Sequence, residues 1–519
     1  MITLTSYLQD RWVSGTGRAA TLVDPSTEAP VATASTEGLD FAAALHHART
    51  VGGPALRALS FAERGALLKA MSRALHEKRE ELLDLSTLNN GATRGDGKFD
   101  VDGATGTLAA YARLGTSMGD ARFLLDGEAE KLGGGARYVG QHLYLPRPGV
   151  AVHVNAFNFP AWGTFEKIAA AFLAGVPVVT KPATATALVA WRAVQIIVEA
   201  GILPPGVLSL VAGGAGDLLD HLGPQDALAF TGSADTAATL RRGAGVAARS
   251  ARVNIEADSL NAAVFAPDVE VGGALWHAAL RNLVTDLTQK TGQKCTAVRR
   301  ILVPESMAGD LADALVAELS RVVVGNPAVD GVTMGPVATA GQLRDARRGI
   351  ALLQEEADLL LGGADALDGV GAPAGKGYFV RPTLLRARDS ATARQVHAHE
   401  VFGPCATLLP YDGSAATAAA LVARGEGCLV SSVYAEGRDW LGPFLMEAAP
   451  WNGRVVAATD KVADQVLPPG MVLPNQVHGG PGRAGGGEEL GGARGLAFYW
   501  NRTAIQSDLG ALRALFGVK

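Results

Sequence analysis

Apolar positions recur at helical spacing through residues 38–90. Ala42, Ala43, Ala44 and Leu45, then Leu67, Leu68, Met71, Ala74 and Leu75, are separated by charged positions, which predicts long amphipathic helices. Near residue 150 the pattern changes. A short apolar run at 149–154 ends in a polar loop and predicts a strand, and 164–174 predicts a helix. A second strand is expected at 176–180, then a helix at 185–200 stopped by Gly201 and Pro204. Strands at 208–211 and 227–230 are followed by Gly213-Gly214-Ala215-Gly216 and Thr231-Gly232-Ser233. Strands alternating with helices, with glycine at the strand ends, predict a parallel α/β sheet. Such sheets bind ligands beyond the carboxyl ends of their strands.

A second alternation follows. Residues 299–303 read as a strand, 307–319 as a helix and 428–434 as a strand. Two α/β domains are therefore expected, with the segment around Cys295 between them. Residues 137–145 alternate and precede Pro146 and Pro148. They predict a projecting hairpin, which would expose a sheet edge unless another chain covered it. The glycine-rich stretch 479–495 reads as a loop.

Composition narrows the class. A chain of 519 residues, 48% of them hydrophobic, can bury two or three cores. The net charge is −5 and the basic residues are dispersed, which argues against nucleic acid and anionic membranes as partners. The first seven residues carry no basic start and no apolar stretch, and the apolar run 168–179 is too short to span a bilayer. Cys295, Cys405 and Cys428 are widely spaced. They show no metal-ligand spacing, so no metal is expected, and free thiols in a reducing cytoplasm are.

Cys295 lies in Lys290-Thr291-Gly292-Gln293-Lys294-Cys295-Thr296-Ala297, and Glu256 in Asn254-Ile255-Glu256-Ala257-Asp258-Ser259-Leu260. A thiolate can attack a carbonyl carbon, and a carboxylate can then activate water to release the acyl group. Alone, Cys295 reads equally as a buried small hydrophobe. Asn158 follows a strand and opens a helix, so its amide could donate to an oxyanion or merely cap the helix. Lys181 ends a strand and could meet ribose or phosphate, or be a solvated surface lysine. Phe230-Thr231-Gly232-Ser233 opens a helix whose N-terminus could receive a phosphate, although the spacing is not that of a dinucleotide fingerprint. Gly115-Thr116-Ser117-Met118-Gly119 and His478-Gly479-Gly480 imitate a serine hydrolase. That motif needs a strand before the serine, and residues 107–114 read as helix. His153 and His221 read as structural.

Taken in order, Asn158, Lys181, Phe230-Thr231-Gly232-Ser233, Glu256, Cys295 and Glu400-Val401-Phe402-Gly403-Pro404 resemble the NAD(P)-dependent aldehyde dehydrogenase superfamily over nearly the whole chain. The resemblance implies a Rossmann-like cofactor domain (1–127 and 149–258), an α/β catalytic domain (259–475) and a small β oligomerisation domain (128–148 and 476–519) that would make a strand-mediated homodimer. It implies oxidation of an aldehyde to an acid through a cysteine thioester. Cys295 would be the nucleophile, Glu256 the deacylating base, and Asn158 with the Cys295 backbone N–H the oxyanion hole. Lys167 and Glu489 match a proposed proton relay. Lys181 would meet the adenosine ribose, Gly213 the adenine, Gly232 and Ser233 the pyrophosphate, and Glu400 and Phe402 the nicotinamide half.

Two departures refine the expectation. Glu256-Ala257-Asp258-Ser259-Leu260-Asn261 and the run from His478 to Leu490 resemble a narrower branch that acts on CoA-linked semialdehydes from aromatic-ring cleavage, such as 3,4-dehydroadipyl-CoA semialdehyde. A broad aliphatic aldehyde substrate is the alternative. Thr184 stands where many NAD-preferring members have a glutamate, which implies NADP as cofactor with NAD less favoured. Ala237 replaces a glycine of the family's phosphate turn.

Overall fold

The computed structural model describes residues 1–135 and 137–519. A seven-stranded sheet runs in the order Arg252–Glu256, Ala227–Thr231, Ala151–Val154, Val178–Lys181, Leu208–Leu210, Ser6–Leu8, Arg11–Val13. The first five strands are parallel. Their apolar runs are buried on both faces, as parallel strands sandwiched by helices require. Register aligns Val154 with Lys181 and with Phe230, and Thr231 with Glu256. The segments that leave these strands therefore emerge along one edge.

The second seven-stranded sheet runs Ala357–Leu361, Thr383–Ala387, Cys405–Tyr411, Arg300–Pro304, Ala262–Phe265, Cys428–Tyr434, Asn452–Ala458. Only Ala357–Leu361 is antiparallel to its neighbour. Arg300–Pro304 and Cys405–Tyr411 are adjacent, with Arg300 opposite Thr407. The loops that enter these two strands carry Cys295 and Glu400 to Phe402. The carboxyl edge of the first sheet thus faces entry loops of the second.

The structure corrects three expectations. Residues 38–90 form several shorter helices, among them Phe41–His47, Gly53–Ala58, Phe61–Glu77 and Arg79–Asn90. A side chain at Gly52 would lie 2.0 Å from the Gly206 carbonyl oxygen. At this close approach a π-helical turn, Ala48–Gly52, joins Phe41–His47 to Gly53–Ala58, and the helix ends at extended Leu59. Ser60 then restarts the helix. Its Oγ accepts from the Glu63 N–H at 3.2 Å while the Glu63 carboxylate accepts from the Ser60 N–H at 2.7 Å, a reciprocal cap worth about 1 kcal/mol.

The second correction concerns the expected hairpin at 137–145. It is the single strand Tyr138–Pro146, central in a three-stranded antiparallel sheet between Leu124–Lys131 and Trp500–Asp508. The C-terminal strand of the same chain covers the edge that was expected to be open. The exposed edges are the two outer strands. Third, the glycine-rich stretch is not all loop. Val477–Gly479 pairs antiparallel with Glu488–Leu490, which sets His478 opposite Glu489.

The serine-hydrolase alternative fails on the same grounds. Ser117 lies in the last turn of the helix Arg94–Met118, and its hydroxyl donates to the Leu114 carbonyl at 2.7 Å.

Candidate active site

The Cys295 loop is held in a conformation that local preference would not choose. Lys290, Thr291 and Gly292 have φ of 55°, 56° and 65°. Left-handed backbone is costly for a β-branched residue such as Thr291, so tertiary contacts must impose it. Thr291 Oγ1 donates to the Gly335 carbonyl at 2.9 Å, and Lys290 N–H donates to Asp96 at 2.9 Å. The Lys294 ammonium, fully buried, pairs with Asp286 at 2.7 Å. Asn261 Nδ2 donates to the carbonyls of Cys295 at 2.7 Å and Ala297 at 2.9 Å. A Cβ on Gly292 would lie 2.3 Å from the Gly403 carbonyl oxygen. Only glycine permits this approach between the two entry loops.

Glu256 ends its strand and is buried. His478 Nε2 lies 3.0 Å from Glu256 Oε2 and 3.9 Å from Cys295 Sγ. Burial alone would raise the Glu256 pKa, but His478 and Lys167 outweigh it and hold the carboxyl below its usual range. Burial works against the His478 cation, yet Glu256 outweighs it and the imidazole pKa is raised. Burial, then the Glu256 charge, pushes the Cys295 thiol well above its ordinary range.

These three side chains share a small cavity with Asn158, Phe159, Trp162, Glu166 and Lys167. One Asn158 N–H donates to the Gln293 carbonyl at 2.9 Å, which orients the amide beside the Cys295 loop. Capping is excluded, because the helix starts at Trp162 and has no side-chain cap. Lys167 is buried between Glu166, at 3.3 Å, and Glu489, at 3.0 Å. Burial disfavours its charge, but Glu489, Glu166 and Glu256 outweigh this and its pKa is raised. Burial lifts the Glu166 carboxyl to about 7 despite Lys167. Asn254 Nδ2 donates to Glu489 at 3.1 Å. Glu166 and Lys167 line both the Cys295 cavity and a second one that contains Glu489, so ionisable groups extend away from Cys295.

The remaining expected residues lie along the sheet edge rather than in the Cys295 cavity. Lys181 ends its strand, and its Nζ donates to the Pro182 carbonyl at 3.1 Å. Among the described residues it has no carboxylate partner, and burial pushes its pKa down to about 8. Thr184 opens the 3₁₀ turn that follows. Gly213 has φ of +143° and its Cβ would meet Thr36 at 2.8 Å. At Gly232 a Cβ would strike the Phe230 ring at 2.5 Å. Ser233 caps the helix Ala234–Arg242, in which Ala237 is buried. The Ala234 N–H donates to Asp258 at 3.0 Å.

On the facing loop, Glu400 accepts from the Ser259 N–H at 3.0 Å and pairs with Arg299 at 3.3 Å. Burial nevertheless lifts its carboxyl to about 7. The Arg299 guanidinium lies 5.5 Å from the Phe402 ring centre. A lysine without a carboxylate, bare glycine backbone and a buried acid at a strand-end crevice fit a dinucleotide.

Two side chains were not legible as functional. His478 was weighed in a hydrolase imitation, and both residues stood in the runs that resemble the narrower branch, but neither was given a role of its own. The one sequence signal for His478 was the glycine pair after it. Cys295, His478 and Glu256 also offer three ligand atoms within 4.8 Å of one another, although sequence spacing showed no metal pattern. Cys405 and Cys428 are buried and unpaired. No helix among the described residues is long and apolar enough to cross a membrane.

A profile of the Aldehyde dehydrogenase family matches residues 12–465. The chain is 47% identical over 478 residues to the 3,4-dehydroadipyl-CoA semialdehyde dehydrogenase of Aromatoleum evansii, covering 92% of this chain and 93% of that one. Among solved structures, a 3,6-anhydro-L-galactose dehydrogenase in complex with NAP superposes with a TM-score of 0.84 at 21% identity, over 97% of this chain and 100% of the other. An NAD+ complex of an aldehyde dehydrogenase from Bacillus cereus gives 0.83 at 23%, over 98% and 97%. At these identities the superpositions speak for the fold.

Proposed function

The chain belongs to the aldehyde dehydrogenase family, and from that premise we propose that it oxidises a CoA-linked semialdehyde to the acid with NADP. The observation that carries this reading is the convergence of Cys295, Glu256 and Asn158 on one cavity. Cys295 sulfur adds to the aldehyde carbon, and the oxygen takes the carbonyl electron pair. The free Asn158 N–H and the Cys295 backbone N–H hold that oxygen. NADP, when bound, supplies the hydride acceptor. Glu256 then orients and deprotonates the water that breaks the thioester. The Lys167, Glu166 and Glu489 cluster offers the released proton a way out.

The nearby relative's name supports the CoA-linked substrate, and so does a larger groove. A cavity of about 810 Å³ shares Phe99, Trp162 and Val472 with the Cys295 cavity. Its floor is the helix Arg94–Met118, with glycine at 103 and 106. A Cβ at Gly103 would strike the Trp162 ring at 2.2 Å, and Gly106 faces open space. Lys98 and Arg113 line the groove without an ion-pair partner among the described residues. A slender thioester tail fits the bare helix face, and its phosphates fit the two cations. Lys98→Glu is expected to lower kcat/KM for a CoA-linked semialdehyde several-fold relative to a short aliphatic aldehyde. An equal loss on both would favour the broad aliphatic reading.

The NADP preference rests on Thr184. A carboxylate there would repel a 2′-phosphate, whereas Lys181 offers it a positive charge and Thr184 a hydroxyl. Thr184→Glu is expected to shift the NADP-to-NAD ratio of kcat/KM toward NAD by about tenfold, the effect of roughly 1.4 kcal/mol. An unchanged ratio would remove this account. The sheet formed by Leu124–Lys131, Tyr138–Pro146 and Trp500–Asp508 is read as the oligomerisation element of a homodimer, through its outer strands, and the three-domain division above is retained.

A further inference from the structure

His478 is placed by backbone, not by loop chance. Its strand, Val477–Gly479, packs so tightly that a Cβ on Gly453 would lie 1.7 Å from the Gly479 carbonyl oxygen. A Cβ on Gly480 would lie 2.3 Å from the Cys428 carbonyl oxygen. The imidazole therefore enters the cavity from a rigid strand that cannot shift without losing these approaches. Its Nε2 stands 3.9 Å from Cys295 Sγ and 3.0 Å from Glu256 Oε2.

The thiol faces a physical obstacle without it. Cys295 lies beside a buried carboxylate, and a second negative charge there is repelled. Lys167 is engaged by Glu166 and Glu489. We propose that His478 is a catalytic base that takes the Cys295 thiol proton and remains as an imidazolium between the thiolate and the Glu256 carboxylate. This rests on the reading of Cys295 as nucleophile.

The step balances as a proton transfer. In the tautomer with its proton on Nδ1, His478 turns the Nε2 lone pair to the thiol. The Cys295 S–H bond breaks, the proton bonds to Nε2, and the new Nε2–H donates to Glu256 Oε2 across the 3.0 Å contact. The electron pair stays on sulfur and becomes the S–C bond when the carbonyl is attacked. Glu256 and Glu166 favour the imidazolium, Arg454 opposes it, and the first two prevail over burial as well. The resulting thiolate, imidazolium and carboxylate carry one net negative charge, as the neutral thiol and imidazole with the carboxylate did.

The test is the rate of Cys295 alkylation by iodoacetamide against pH, in full-length enzyme without substrate. Cys405 and Cys428 are buried, so the partly exposed Cys295 is the thiol read. The wild type is expected to alkylate at neutral pH with a limb set by the His478 and Cys295 pair. His478→Phe and His478→Gln are expected to lose that limb and to react about 10²-fold more slowly near neutral pH. NADP binding serves as the check on folding. A variant that keeps the wild-type profile overturns the proposal. If neither variant folds, the wild type decides alone: a thiol that ionises only in the alkaline range also overturns it. Because no turnover is measured, this failure is separate from loss of aldehyde oxidation.

Discussion

Cys295→Ala is expected to abolish aldehyde oxidation, by a factor on the order of 10⁶, while leaving the fold and nicotinamide-cofactor binding in place. The large effect follows from covalent chemistry, since no other group in the cavity can form the thioester. The small structural effect follows from position. Cys295 is partly exposed to the cavity, and the loop is held by hydrogen bonds from the Asn261 amide, the Thr291 hydroxyl and the Lys290 N–H rather than by the sulfur. The loss of one sulfur atom at a cavity wall should cost about 1 kcal/mol or less. Formation of reduced cofactor and thermal unfolding, measured on the same preparation, check both halves. Residual oxidation above about one part in a thousand would sink the nucleophile role.

Glu256→Gln is expected to separate the two halves of the reaction. Acyl-enzyme formation should survive as a burst of reduced cofactor close to one equivalent per site. Steady turnover should fall about 10²–10⁴-fold, because an amide cannot deprotonate water. The glutamine oxygen can still accept from the His478 imidazolium once the thiol proton has moved to Nε2, so the burst should be slowed less than the turnover. The pH dependence has a defined sign. The folded Glu256 carboxyl lies below its usual range, so the base stays ionised through the neutral range and is lost only as pH falls through that depressed value. Single-turnover mixing with a semialdehyde resolves burst from steady state, and a variant with wild-type steady turnover would falsify the assignment.

The sequence by itself determined the alternation of strands and helices from about residue 150 onward. Side-chain periodicity and glycine at strand ends are local properties, and the strands 178–181, 227–231 and 428–434 emerged within one or two residues of expectation. The order of Asn158, Lys181, Glu256, Cys295 and Glu400 was equally legible, because each sits in a short motif beside a strand end or entry loop.

Only the tertiary structure decided three further things. It closed the Tyr138–Pro146 edge with the chain's own Trp500–Asp508, a pairing of distant segments on which local periodicity is silent. It forced Thr291 into left-handed backbone, against its own preference, because hydrogen bonds from other segments over-determine that turn. It also set His478 opposite Glu489 and against Cys295 and Glu256. Register in a two-stranded pairing decides which side chains share a face. A histidine in a glycine-rich run therefore carries no sign of the thiol that lies beside it until the chain has folded.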